Sequence, residues 1–303
     1  NSALYNWFRA WSTTVFILLL ITINYLYQFD FFKNRNKAYN MNYGTTEAEF
    51  SNRNLRAIDT LTVQRKKDIA FTETVLNNWR IKNAANSRKL KRKPKLILVN
   101  TSGGGLRSTL WTFYSLQYAD SLLNGELLNH TQLITGASGG IIGAAYLREL
   151  MLMHKKQQVK NIYHPILRDN VSKDLLNPIA LSMAVNDWFF PMQSVTEGRY
   201  KYGRDRAFAF ERKLNENTNY ILAKKLHDYY EPEKNAEIPM MILSPTIIND
   251  GRKLMISPLP ISYLTQSRKD PNVHVNNVTP AIEFSRFFKN QDADKVLFTS
   301  ALR

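Results

Sequence analysis

Residues 136–140 read Gly-Ala-Ser-Gly-Gly and fit the pattern G-x-S-x-G, with an apolar run before them and the small residues Gly143, Ala144 and Ala145 after them. Such a pattern sets a serine on a strained strand-to-helix turn, where only small neighbours fit and the hydroxyl is free to attack a carbonyl carbon. A helix beginning near Ile141 would aim its free N–H groups at the negative charge that develops there. The plainer alternative is a tight turn without chemistry. A second glycine-rich turn, Gly103-Gly104-Gly105-Leu106-Arg107, lies 35 positions ahead of Ser138. Successive glycines let amide N–H groups converge on one point, which suits a phosphate cradle or an oxyanion hole. The phosphate-loop pattern needs a Lys-Ser or Lys-Thr that does not follow, and a dinucleotide fingerprint fails because position 108 is serine. The oxyanion reading remains, with Arg107 as a fixed positive charge or a brace for the loop.

The elements that would position these residues are legible around them. Lys95–Asn100 is a short apolar run closed off by Pro94 and predicts a buried strand. A helix is expected from about Ser108 to Leu123, a strand from Gln132 to Thr135, and a helix from Ile141 to about His154. Strand, loop and helix repeated in this order imply a mainly parallel sheet with helices on its faces. Further along, a helix is expected from Asp205 to Tyr230. Two strands, 238–248 and 252–256, are joined at Asn249-Asp250-Gly251, a hairpin signal. Short apolar patches follow at Phe284–Phe288 and Val296–Leu302.

The two glycine turns at this spacing resemble the patatin-like phospholipase family of lipid acyl hydrolases. The resemblance implies a three-layer α/β fold with a mainly parallel central sheet, a Ser–Asp dyad without histidine, and hydrolysis of fatty acyl esters of phospholipids or related lipids without a cofactor or metal. Carried over by position, Ser138 is the nucleophile, Gly103, Gly104 and Gly105 form the oxyanion loop, and Arg107 takes the family's basic position. Ser108 stands where the family has glycine. The family's third piece, an Asp in an Asp-Gly-Gly or Asp-Gly-Ala turn, is not seen. Asp250-Gly251 is the only Asp-Gly pair, but it sits in what resembles the hairpin ahead of the catalytic Asp, so the partner Asp is expected beyond Arg303. The rival within the same resemblance is a catalytically silent membrane scaffold subunit of a larger assembly. A triad esterase is a weaker rival, because His274, its candidate base, lies in a polar loop. The histidines (130, 154, 164, 227 and 274) are scattered without metal-ligand spacing.

The amino-terminal part points to lipid by another route. Residues 10–29 carry no charge, and about twenty helical residues match a bilayer core of roughly 30 Å. Trp7, Trp11, Tyr25 and Tyr27 flank the run, as interfacial aromatics do. A transmembrane helix is expected, followed by Lys33, Arg35 and Lys37, which place the rest on the cytoplasmic side of a bacterial inner membrane by the positive-inside tendency. The expected organisation is a membrane helix with its flanks (1–44), a helical and basic linker (45–94), and a hydrolase domain (95–303) expected to continue past the given residues. With 41 Lys and Arg against 25 Asp and Glu, the formal charge is +16. That favours anionic partners. The basic run 88–95 reads either as a solvated linker or as an anchor on an anionic lipid surface. A nucleic-acid partner is not expected, because no recognition motif accompanies the charge. Asn24 and Gln28 in the span leave room for other membrane subunits. The absence of cysteine excludes disulfides, thiolate zinc sites and a cysteine nucleophile. The aromatic stretch 178–192 reads equally as core packing and as a lid or acyl-chain channel.

Overall fold

The computed structural model describes residues 2–27, 36–59, 62–89, 93–187, 193–265 and 281–303. Trp188, Phe189 and Phe190 of the aromatic stretch, His274, and most of the 88–95 basic run lie outside the residues whose side chains are described. Along the chain, α1 (Ser2–Tyr27), α2 (Asn52–Asp59) and α3 (Thr62–Lys89) precede β1 (Ile97–Thr101). Next come α4 (Gly105–Leu122), α5 (Glu126–His130), β2 (Thr131–Gly136) and α6 (Ser138–Lys155). After α7 (Ile166–Ser172) and α8 (Leu176–Ser182), a π-helical turn (Met183–Asp187) leads to a small antiparallel pair, β3 (Ser194–Glu197) and β4 (Tyr200–Gly203). Then follow α9 (Arg206–Asn217), α10 (Tyr230–Lys234), β5 (Met240–Leu243), β6 (Lys253–Met255), β7 (Ala281–Glu283), α11 (Phe284–Phe287) and α12 (Phe298–Leu302).

The fold is mixed α/β around a parallel sheet. β1, β2 and β5 pair in that order, all parallel. Antiparallel bridges at Leu243–Ile256 and Thr246–Lys253 attach β6, which pairs in parallel with β7. Strand side chains alternate between faces, and the two faces have different covers. Ile134, Met241 and Leu243 join Phe113 of α4 and Ile141, Leu147 and Leu150 of α6 in one apolar cluster. Leu133, Met240 and Ile242 point the other way, to Val75 and Phe71 of α3. Helices thus cover both faces, with α4 and α6 on one side and α3 on the other.

α6 is buried without interruption from Gly139 to Leu152, as an element at the centre of a core must be. Its two internal charges are therefore paired. Arg148 meets the carboxylate of Glu233, donates to the Pro239 carbonyl at 3.1 Å, and lies over the rings of Tyr229 and Phe298 at 4.5 and 5.6 Å. Glu149 accepts from the Lys224 ammonium and, at 2.7 Å, from the Tyr229 hydroxyl.

The expected transmembrane span forms a helix, α1, but among the described residues no helix is long and apolar enough to cross a membrane. Within α1 the Thr22 hydroxyl donates back to the Leu18 carbonyl at 2.7 Å. Val75 and Trp79 of α3 are buried, and Val75 packs on the second face of the sheet with Met240 and Ile242. The helix expected over 205–230 stops at Asn217: Thr218 returns its hydroxyl to the Leu214 carbonyl at 2.8 Å, and Asn219 and Tyr220 take φ of 52° and 60°. Left-handed backbone cannot continue a right-handed helix. The start of α9 follows the sequence, with Asp205 accepting from the amides of Ala207 and Phe208 at 3.0 and 3.1 Å.

Candidate active site

Ser138 opens α6 directly after β2, with Ala137 extended before it. Its φ is +60°, in the left-handed region that a side chain rarely adopts. A non-glycine residue held there carries strain of about 1 kcal/mol or more. The surroundings hold it in place: β2 is pinned on both edges, and the carbonyl of Gly136 accepts from the Ser244 amide at 3.0 Å. The Ser138 side chain is exposed although Gly139 and Gly140 behind it are buried.

The glycine turn after β1 lies against this serine. A β-carbon at Gly103 would stand 3.2 Å from the Ser138 Cβ and 3.5 Å from its Oγ. A side chain at position 103 would crowd Ser138, and glycine there lets the two turns meet closely. Gly104 and Gly105 carry φ of 141° and 62° and bend the chain into α4. The structure thus brings Gly103 and Ser138 into contact and places Gly104 and Gly105 in the same exposed turn. Arg107 is exposed on the first turn of α4. Two helix N-termini, those of α4 and α6, meet here, and both favour negative charge in front of Ser138.

Hydroxyls that were not singled out in the sequence brace the site. Thr109 donates to the carbonyls of Gly139 at 2.9 Å and Gly105 at 3.2 Å, so one buried side chain joins the two turns. Ser108 donates to the Ser102 carbonyl at 2.8 Å, which gives the hydroxyl at this position a task inside the loop. Neither role has a local sequence signal, because both partners are backbone carbonyls that come together only on folding.

Other expected residues lie apart from Ser138. Among the described residues no side chain hydrogen-bonds the Ser138 hydroxyl. The Asp250 carboxylate is engaged in its own turn, accepting from the Arg252 amide at 3.1 Å and from Arg252 Nε at 2.6 Å. The positive φ in that turn belongs to Gly251, at 77°, not to Asn249 or Asp250. The described part of the aromatic stretch lines a cavity of about 450 Å³, where Pro178, Leu181 and Val185 face Phe208, Arg212 and Lys213 of α9. Neither Ser138 nor the Gly103–Gly105 turn is among its lining residues.

No protein-family model matches the chain, and no curated protein matches it. Among solved structures, it is similar to human GIVD cytosolic phospholipase A2 in complex with methyl gamma-linolenyl fluorophosphonate, at 14% identity and a TM-score of 0.40 over 62% of this chain. The same human enzyme with that inhibitor and terbium chloride gives 15% identity and a TM-score of 0.39, again over 62% of this chain. The chain spans about a quarter of the length of these structures, 27% and 28%.

Proposed function

We propose that this protein is a patatin-like serine hydrolase of lipid acyl esters, with Ser138 as the nucleophile. The observation that carries the reading is an exposed serine held at φ +60° at a strand-to-helix turn, with Gly103 directly against it. A plain tight turn has no need of a strained, accessible hydroxyl set against a glycine-rich loop. In the reaction, Ser138 Oγ attacks the ester carbonyl carbon and its proton passes to a carboxylate outside the described residues, an Asp by family resemblance. The amides of Gly103–Gly105 receive the oxyanion, supported by the two helix N-termini. The C–O bond to the lipid alcohol breaks, with the alcohol oxygen taking the proton, and water then releases the fatty acid from the serine ester.

The same proposal places the protein at a lipid surface. The side chains described along α1 from Trp11 to Thr22 are all exposed, most of them apolar, and an apolar run with no protein against it is suited to insertion among lipid chains.

A fluorophosphonate probe tests the nucleophile. The complete protein should be labelled covalently on Ser138, and Ser138→Ala should lose the label while keeping its thermal transition. Labelling that survives the substitution would place the nucleophile elsewhere.

A further inference from the structure

α4 carries apolar side chains on both faces: Leu106, Leu110 and Leu116 pack with Phe113 against the core, and a second set faces solvent. Toward the interior the helix presents Thr109, Phe113, Gln117 and Asp120. Toward solvent it presents Trp111, Tyr114, Tyr118 and Leu122, with Trp111 71% and Leu122 64% exposed. From Arg107 these residues follow at steps of four, three, four and four, so at 100° per residue they share one stripe about 22 Å long. The stripe starts beside the glycine turn that touches Ser138.

We infer that this face of α4 is a docking surface for an anionic lipid bilayer, one that presents Ser138 to lipid esters. The inference rests on the hydrolase reading for its purpose, but not for its geometry. Three features select lipid over a protein partner. Trp and Tyr combine an apolar body with a polar tip and settle where hydrocarbon meets headgroups. The rim is cationic: Arg107 heads the stripe, and Arg168 of α7 lies over the Tyr114 ring at 5.3 Å. Its guanidinium can reach phosphate while its stem covers apolar surface. The whole chain carries +16, complementary to an anionic leaflet. Ile166, on the same neighbouring helix, is also exposed and extends the apolar area.

Because α1 can hold the protein on a vesicle by itself, depth rather than binding is the informative readout. The given residues include no cysteine; with any cysteine elsewhere in the complete protein replaced by serine, Tyr118→Cys and, separately, Leu122→Cys give unique attachment points for an environment-sensitive fluorophore. Glu73→Cys on α3, across the sheet, is the reference. In full-length protein on phosphatidylglycerol vesicles, labels at 118 and 122 should brighten at least about twofold, resist iodide and be quenched by doxyl lipids; the label at 73 should show the reverse. Trp111→Ser with Tyr118→Ser should slow hydrolysis of vesicle lipid at least about tenfold and leave a soluble short-chain ester unaffected. Labels at 118 and 122 that remain as open to iodide as the one at 73 would overturn the inference. So would cysteines at both positions that resist a water-soluble maleimide before lipid is added, since protein would then cover the face. If no ester is hydrolysed but the depth pattern appears, the hydrolase reading fails and the docking surface stands.

Discussion

The carbonyl oxygen of Gly105 faces Gly139 so closely that a β-carbon at Gly139 would stand 1.9 Å from it. The turn after β1 and the turn after β2 are therefore fitted to each other through backbone alone. The contact continues down the helices, where a β-carbon at Gly143 would lie 2.2 Å from the Thr109 carbonyl oxygen. The separation of α4 and α6, and with it the place of the glycine loop in front of Ser138, is set by these glycines.

Alanine normally stabilises a helix over glycine by up to about 1 kcal/mol. Here the sign should reverse. Gly139→Ala and Gly143→Ala should each lower stability by about 2–4 kcal/mol, because the obstruction is backbone and cannot rotate away. Thermal melts check the sign. Gly139→Ala should also slow fluorophosphonate labelling, since the oxyanion loop must move. An unchanged or raised melting temperature in both variants would contradict the packing described.

Ser138→Ala and Ser138→Gly both remove the hydroxyl and should both abolish labelling. They should differ in stability. At φ +60° alanine keeps the strain and glycine relieves it, so the glycine variant should be more stable by about 1 kcal/mol. In ordinary helical backbone the order would be the opposite. Equal denaturation midpoints, or alanine above glycine, would show that the turn at Ser138 is not strained.

The βα units around the site were legible because their signals are local: an apolar run, a glycine turn, then a helix. Features that depend on distant partners were not. α3 carries Val75 and Trp79 on a long polar background; what Val75 covers, Met240 and Ile242, lies far along the chain, and Trp79 donates to the His130 carbonyl at 3.2 Å. Thr109 is one threonine among many until its hydroxyl meets two glycine carbonyls. α4 carries aromatics at several positions, and only the packing shows that Phe113 points inward while Trp111 points out. The end of α9 was missed because Thr218 and Asn219 act through a side-chain return and left-handed backbone within an otherwise helical pattern.

Asp250 is the one Asp-Gly available to complete a dyad, and it should be dispensable. Its carboxylate caps its own turn and pairs with Arg252, which also donates to Asn52 at 3.0 Å. Asp250→Asn keeps an acceptor for the Arg252 amide and weakens the ion pair, which should cost about 0.5–1 kcal/mol of stability at a partly exposed site. The hydrolytic rate of the complete protein should stay near that of the original. A collapse in rate with an unchanged melt would assign the base to Asp250.

Glu211 of α9 should make stability pH-dependent in a defined window. Its buried carboxylate accepts from Thr299 at 2.9 Å and from Ser300 at 2.8 Å, and pairs with Arg303 at 3.2 Å, binding α9 to the last helix. Burial pushes its pKa up to about 7, against the downward pull of Arg303 and the two hydroxyls. The folded protein therefore retains a proton that the unfolded chain releases from near the ordinary glutamate value of about 4.3 upward. Stability is fully present below that value and falls as pH rises toward about 7, by on the order of 3 kcal/mol at most. Glu211→Gln removes this titration and keeps an oxygen for one hydroxyl. The stability of the variant relative to the original should rise with pH across the window and be level on either side. Urea midpoints measured from pH 4 to pH 8.5 check it, and a difference that is flat throughout would mean that Glu211 titrates in the folded protein as it does in the unfolded chain.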